Sequence, residues 1–195
     1  VEETKYKVLT GVARLTKDGQ SVSGDTFSMI NLPSGELLMA LSDGMGSGTS
    51  AFDDSKNVIE LLEQMSEAGF SQTSAIRLIN SLYMSDQEFE NYATLDISLI
   101  NLYKGECSFL KNGAVGTYVL NQGKMYCIEG QSLPMGVVSD AEPYIGKMSL
   151  YPGDYVIMMT DGVADMFSQE RYNLEKFIKQ IEIVNPGDMA QAIVD

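Results

Sequence analysis

The sequence contains no histidine and no tryptophan, and it has only two cysteines among its 195 residues. Ser-His-Asp and Cys-His nucleophilic catalysis both need an imidazole base, so the missing histidine excludes them. Histidine-based zinc sites are also excluded, and two cysteines cannot form a structural zinc cage by themselves. Any catalysis must therefore use carboxylates, hydroxyls, backbone groups or a bound metal ion.

Positive charge is scarce as well. There are 13 Lys and Arg against 27 Asp and Glu, which gives a formal net charge of −14. A protein that binds nucleic acid neutralises phosphates with clustered Lys and Arg, so this composition argues against such a partner. Cys107 and Cys127 lie in apolar contexts far apart in the sequence, and we expect buried, reduced thiols in a cytosolic domain.

Long apolar runs are absent too. Runs such as Leu37–Leu41 fall far short of the roughly 20 residues of a membrane span, and no signal-peptide pattern opens the chain. The length suits one domain, and a hydrophobic content of 44% is enough for a core. Because the first residue is Val1, we expect a piece of a longer protein, whose membrane segments, if any, lie outside this chain.

Alternating apolar residues and turn dipeptides predict strands grouped apart from helices, an α+β layered fold. Leu37–Leu41 is apolar on both faces, which is typical of a strand inside a sandwich of two packed sheets with helices outside. The predicted strands are Lys5–Leu15, Asp25–Leu32, Glu36–Ser42, Thr94–Tyr103, Glu106–Lys111, Thr117–Leu120, Met125–Glu129, Tyr144–Leu150 and Tyr155–Thr160. The predicted helices are Thr49–Ala68, Gln72–Ser85 and Leu174–Val184, and Asp188–Val194 begins another.

One motif occurs twice. A predicted buried strand ends in a hydroxyl residue followed by Asp-Gly, first at Ser42-Asp43-Gly44 and again at Thr160-Asp161-Gly162. Two such acids delivered to one sheet edge repel each other unless a cation intervenes. Hard oxygen ligands favour magnesium, manganese or calcium. Asp25, just before another strand, is a candidate third acid.

The glycine-rich stretch Gly44-Met45-Gly46-Ser47-Gly48 allows a rival interpretation. A strand, a glycine-rich loop and a helix are also typical of a dinucleotide site. The G-x-G-x-x-G pattern fails because Thr49 stands where the third glycine belongs. Asp43 would in addition repel a phosphate in the absence of a metal ion.

At these residues the sequence resembles the metal-dependent PPM protein phosphatases, and within them the stage II sporulation protein E branch. The resemblance runs from about Tyr6 to Phe167. The matching motifs, in matching order, are Ser-Gly-Asp at 23–25, Ser-Asp-Gly-Met-Gly-Ser-Gly at 42–48, Thr-Leu-Asp at 94–96 and Met-Thr-Asp-Gly-Val at 159–163.

The resemblance implies a two-layer antiparallel β-sandwich flanked by helices (α-β-β-α), with two Mn²⁺ or Mg²⁺ ions at one edge. By position, Asp43 would bridge both ions, the Gly44 carbonyl and Asp25 would serve one ion, and Asp161 would serve the other. Asp165 matches one ligand of a third ion found in some members. The family's reaction is a direct in-line attack of metal-bound hydroxide on phosphorus, without a phosphoenzyme, which is compatible with a chain that lacks histidine.

The resemblance also implies partners. The substrate in this branch is a phosphoserine on a small anti-anti-sigma protein of the STAS type, and dephosphorylation releases a sporulation sigma factor. The helices at 49–85 would be regulatory elements and a homodimer contact. The implied location is a cytoplasmic domain of a parent protein that can be membrane-anchored outside this chain.

The sequence departs from the family pattern in three places. No late Asp-Asp or Asp-Asn motif precedes the end at Asp195, so we expect a single domain over 1–195 that lacks the last strand or strands and one metal ligand. Asn112–Val115 replaces the Gly-Asp-Ser-Arg stretch. Only Arg14 and Lys17, near Asp25, are candidates to hold a substrate phosphate. These departures leave open an alternative function, a regulatory binding module that keeps the fold without turnover.

Overall fold

A computed structural model describes the parts of the chain that are discussed from here on, which are residues 3–15, 23–46, 49–85, 92–140, 142–167, 171–180 and 185–195. The strands are β1 Asp25–Asn31, β2 Glu36–Asp43, β3 Leu95–Asn101, β4 Glu106–Asn112, β5 Thr117–Asn121, β6 Lys124–Ile128, β7 Tyr144–Ser149 and β8 Tyr155–Ile157. The helices are α1 Thr49–Glu67, α2 Gln72–Ser85, α3 Asp161–Phe167, α4 Arg171–Gln180 and α5 Pro186–Val194.

The strands form two antiparallel sheets. The first has the order β1-β2-β3-β4-β7, and the second has the order β6-β5-β8. Consecutive strands pair as hairpins from β1 to β2, from β3 to β4 and from β5 to β6, whereas the pairings of β2 with β3, β4 with β7 and β5 with β8 join more distant parts of the chain. The predicted antiparallel α+β sandwich is confirmed, and the predicted strand and helix boundaries mostly lie within two residues of the observed ones.

Three apolar clusters define four layers. On the outer face of the first sheet, Leu38 and Ile97 pack with Leu62 of α1 and Ile76 of α2. Between the sheets, residues of β2, β3 and β4 contact β5 and β8, with Phe109 and Val119 fully buried. On the outer face of the second sheet, Leu174 and Ile178 of α4 pack on β5 and β8. The order is helix, sheet, sheet, helix, and Leu37 and Leu38 of β2 are buried on opposite faces as their apolar run predicts.

The predicted strand Lys5–Leu15 is wrong. Residues 5–15 form no strand, although Tyr6 N–H donates to the Leu102 carbonyl at 2.9 Å. The segment instead runs against α5, where a Cβ on Gly11 would lie 2.1 Å from the Pro186 carbonyl carbon. A helix satisfies its own backbone groups and offers no ladder to an extended neighbour. Apolar alternation alone therefore does not make this segment a strand.

Two smaller expectations need correction. Cys107 is buried but Cys127 is only half-buried, and neither thiol forms a disulfide. The strand predicted at Tyr155–Thr160 ends at Ile157 and is half-buried rather than buried. Residues 181–184 of the helix predicted at Leu174–Val184 lie outside the described part of the chain. Within the described residues, no helix combines the length and hydropathy that a bilayer span requires.

Candidate metal centre

Two acids lie opposite each other where the first hairpin opens. β1 begins at Asp25 and β2 ends at Asp43, and the antiparallel register pairs these two residues directly. The pairing continues one step further, because Gly44 N–H donates to the Gly24 carbonyl at 3.3 Å. Directly opposed side chains on a sheet lie about 5 Å apart at Cβ, so two carboxylates here repel each other.

The third acid comes from the other sheet. Asp161 follows β8 and is the first residue of α3, a helix absent from the sequence-based prediction. The helix begins there because the N–H groups of Val163 and Ala164 both bond to the Thr160 carbonyl. The Asp161 carboxyl interacts with that of Asp43, so the structure brings together Asp25, Asp43 and Asp161.

The electrostatics of Asp43 reflect this crowding. Burial, followed by the carboxylates of Asp25 and Asp161, raises the pKa of Asp43 from its ordinary value of 3.8 to about 8. Burial disfavours the charged form, and like charges disfavour it further. The site is therefore costly to ionise on its own, and a bound cation would remove that cost.

Hydroxyl groups hold these acids, and sequence reasoning assigned none of them a role. Oδ2 of Asp25 accepts from Ser23 Oγ at 3.1 Å and from Thr160 Oγ1 at 3.2 Å. Asp43 N–H donates to Thr94 Oγ1 at 3.0 Å. The available signal was the hydroxyl residue that precedes the second Asp-Gly and the one that opens the Thr-Leu-Asp motif.

Gly44 is buried beneath the first turn of α1. A Cβ at this position would lie 1.9 Å from the Ala51 carbonyl oxygen, so only glycine allows the helix to approach this closely. Ser55 of α1 donates to the Gly24 carbonyl at 2.6 Å and shares a hydrogen bond with Thr26 at 2.8 Å. Through Ser55, helix α1 is therefore hydrogen-bonded to both neighbours of Asp25, Gly24 and Thr26. The Gly24 carbonyl is also the group that accepts from Gly44 N–H.

The remaining predicted site residues lie further out. Asp165 is exposed one turn along α3, and it is not among the carboxyls that act on Asp43. Arg14 donates to the backbone carbonyls of Ser23 and Asp25, and its guanidinium carbon is 6.0 Å from the centre of the Phe52 ring. Lys17, Ser47 and Gly48 lie outside the described residues.

The donor set matches a hard divalent cation. Three carboxylates and the Gly44 carbonyl supply only oxygen, which is the ligand type that Mg²⁺ and Mn²⁺ prefer. Across the described ranges, no three acidic or sulfur side chains already converge on one point as a finished cage. The carboxylates of Asp25 and Asp161 each lie against Asp43, and they add to the effect of burial in raising its pKa.

The fold and this edge site define a class. A solved structure of the PP2C phosphatase domain of SpoIIE from Bacillus subtilis, with a fragment of its regulatory domain, matches with a TM-score of 0.87 and 32% identity over 98% of this chain and 58% of that one. The fold is that of a PP2C-type phosphatase domain. Residues 33–195 match the family described as "Stage II sporulation protein E (SpoIIE)", and the chain is a member of that family.

Curated relatives agree with this assignment. Stage II sporulation protein E of Bacillus subtilis (strain 168) is 37% identical over 193 residues, which cover 97% of this chain and 23% of that protein. Phosphoserine phosphatase RsbX of the same strain is 40% identical over 63 residues, covering 32% of this chain and 31% of RsbX. The chain thus spans about a quarter of the length of the sporulation relative.

Proposed function

We propose that the protein is a metal-dependent serine phosphatase that removes phosphate from a phosphoserine on a small STAS-type anti-anti-sigma protein. The observation that carries the proposal is the position of Asp43, half-buried between the carboxylates of Asp25 and Asp161. No lysine or arginine is among the groups that shift the pKa of Asp43. A cluster of carboxylates without such a neutralising partner supports a bound cation.

Asp43 would be a ligand of both Mn²⁺ or Mg²⁺ ions, since the other two acids lie against it from the start of β1 and from the start of α3. Asp25 and the Gly44 carbonyl would hold one ion, and Asp161 would hold the other. When bound, such ions supply Lewis-acid polarisation of a phosphoryl oxygen and lower the pKa of a water molecule. Asp165 is a candidate only for a further, weaker site.

The chain's own groups orient the ligands. Ser23 and Thr160 both donate to Oδ2 of Asp25 and so orient this carboxylate. Thr94 fixes the backbone of Asp43 by accepting its N–H. Such outer contacts commonly change metal affinity by about 10–100-fold. Arg14, beside Asp25, supplies positive charge that favours the approach of a dianionic phosphoserine.

The substrate class rests on kinship and charge. The relative RsbX is named a phosphoserine phosphatase, and the family is a sporulation family. With a net charge of −14, the chain would repel a negatively charged phosphoprotein. Two divalent ions at Asp25, Asp43 and Asp161, which we call the acid edge, would make the local electrostatic potential positive.

A homodimer through the helices at 49–85 is part of the same proposal. The outer face of α2 exposes Leu78, Leu82 and Met84, each more than 40% accessible. Residues four apart lie on one side of a helix, so Leu78 and Leu82 form a short apolar stripe that a second copy would cover.

Phosphate release from a phosphoserine STAS protein tests the function. With Mn²⁺ we expect turnover that a chelator abolishes, and Asp43→Ala or Asp161→Ala should lower it by about 10²-fold or more. Asp140→Ala removes an exposed acid away from the edge and serves as the control. Chelator-insensitive hydrolysis, or full activity in either variant, would contradict the mechanism. No hydrolysis by the folded, metal-loaded protein would favour a binding module.

A further inference from the structure

A charged cluster lies buried between the two sheets. Lys111 Nζ on β4 donates to Asp96 Oδ2 on β3 at 2.7 Å, to Thr117 Oγ1 on β5 at 2.8 Å and to the Val115 carbonyl at 2.7 Å. Thr117 Oγ1 also donates to Asp96 Oδ2 at 2.7 Å. The side chains of Lys111 and Asp96 are 0% and 2% exposed, so the ion pair is fully removed from water. We name Asp96, Lys111 and Thr117 the inter-sheet triad.

Stability alone does not explain the inter-sheet triad. Burial raises the pKa of the Asp96 carboxyl and lowers that of the Lys111 ammonium, so each charge is held only by its partners. Oδ1 of Asp96 finds no hydrogen-bond partner among the described residues. Replacing a buried ion pair by apolar residues of similar size is often neutral or stabilising by about 1–4 kcal/mol. An ordinary apolar contact would serve a core at least as well.

The position of the triad suggests what it does. Asp96 lies opposite Leu41 in the β2–β3 register, two residues before Asp43. On the other side, Val115, whose carbonyl bonds Lys111, packs in the cluster with Met159 and Val163. Those two residues flank Asp161 in the sequence. The triad therefore joins the part of the first sheet that carries Asp43 to β5 of the second sheet, close to the residues that flank Asp161 at the start of α3.

We propose that the inter-sheet triad is a set of positioning residues that fixes the two sheets relative to each other, so that Asp161 meets Asp25 and Asp43. Hydrogen bonds at 2.7–2.8 Å between charged groups are directional. The apolar contacts around them, such as Phe109 with Val119, tolerate small sliding movements. A metal centre shared by two sheets loses affinity when its ligands shift by a fraction of an ångström. This inference rests on the proposed function in one respect only, which is that the ion bound by Asp25, Asp43 and Asp161 is Mn²⁺ or Mg²⁺.

Mn²⁺ binding measured by calorimetry tests the inference in two variants. Asp96→Leu with Lys111→Met replaces the ion pair by apolar groups, and it should fold with a midpoint near that of the unaltered protein. Thr117→Val removes one hydroxyl at nearly constant shape, and Thr117→Ser restores it. We expect Mn²⁺ affinity to fall about 10–100-fold in the double variant and about tenfold in Thr117→Val, with recovery in Thr117→Ser.

Disulfide trapping gives a readout that needs no metal. In a protein with Asp43→Cys and Asp161→Cys, the rate of disulfide formation reports how well the two sheets are aligned, because the bond requires Cα atoms about 4.4–6.8 Å apart. Thr117→Val should slow disulfide formation, and Thr117→Ser should not.

The two readouts separate the possible failures. Unchanged affinity and unchanged trapping in Thr117→Val would overturn the positioning role, and so would losses that only follow the unfolding midpoint. If the unaltered protein binds no Mn²⁺ and Thr117→Val still slows trapping, the positioning role is supported and the proposed function is contradicted instead.

Discussion

The acid edge and the inter-sheet triad use charge in opposite ways. At the edge, Asp25, Asp43 and Asp161 bring like charges together in a half-buried position. In the triad, opposite charges meet in full burial at 2.7 Å. The charges of the triad balance each other, whereas the edge becomes favourable only with an added cation. Like charges that no protein group neutralises indicate a binding site. Opposite charges that neutralise each other in a buried position indicate a structural role.

Breaking the triad on one side should give the largest effect. Lys111→Met leaves the Asp96 carboxylate buried without its cation, so we expect the free energy of unfolding to fall by about 3–5 kcal/mol. Denaturant unfolding measures this change. The matched control is Lys147→Met on β7, where the exposed ammonium should contribute within about 0.5 kcal/mol. A loss below about 1 kcal/mol for Lys111→Met would show that the pair is not the buried interaction described.

Added Mn²⁺ should stabilise the folded protein through the acid edge and not through the triad. At an Mn²⁺ concentration 100 times the dissociation constant, binding stabilises the folded state by about 2.7 kcal/mol. Thermal unfolding with and without Mn²⁺ should therefore show a higher midpoint in the unaltered protein and no shift in Asp43→Asn. An equal shift in both proteins would place the bound ion away from Asp43.

Metal-free protein should show a smaller, pH-dependent effect of the same site. The pKa of Asp43 is about 8 in the folded state against 3.8 ordinarily, so folding favours its protonated form. That stability is fully present below about pH 4 and is lost as the pH rises through about 8.

Asp43→Asn, measured in chelator, should remove this slope and make the protein more stable than the unaltered chain at pH 8. The difference should be on the order of 1–2 kcal/mol, because partial exposure and solvent screening reduce the effect. A variant less stable than the unaltered chain at pH 8 would contradict the crowding of carboxylates at the edge.

Local patterns predicted most of the strands and helices because each element carries its own alternation, turn or helical stripe, although only the β1–β2, β3–β4 and β5–β6 pairings are local. The hairpins and the helices α1 and α2 follow from alternation, turn dipeptides and helical stripes close in the chain. The segment at 5–15 has the alternation of a strand, but its structure depends on the distant α5 against which Gly11 packs. Pairing partners far apart in sequence are invisible to a pattern read in a window.

The site was only partly predictable for the same reason. The two Asp-Gly motifs marked Asp43 and Asp161, yet one ends a central strand and the other begins a helix. The partnership of Asp96 with Lys111 spans 15 residues and crosses between strands. The hydroxyl of Thr160 reaches Asp25 across 135 residues. The Asp96–Lys111 contact follows the register of the β3–β4 hairpin, whereas the Thr160–Asp25 contact depends on how the two sheets stack, which no spacing rule indicates.

Anomalous diffraction at the manganese edge, from crystals grown with Mn²⁺, tests the central claim most directly. We expect one peak in contact with Asp25, Asp43 and the Gly44 carbonyl, and a second in contact with Asp43 and Asp161. Crystals of the Asp43→Asn variant should lose both peaks. Manganese bound elsewhere, or an acid edge without peaks in crystals of a protein that binds Mn²⁺ in solution, would contradict the account.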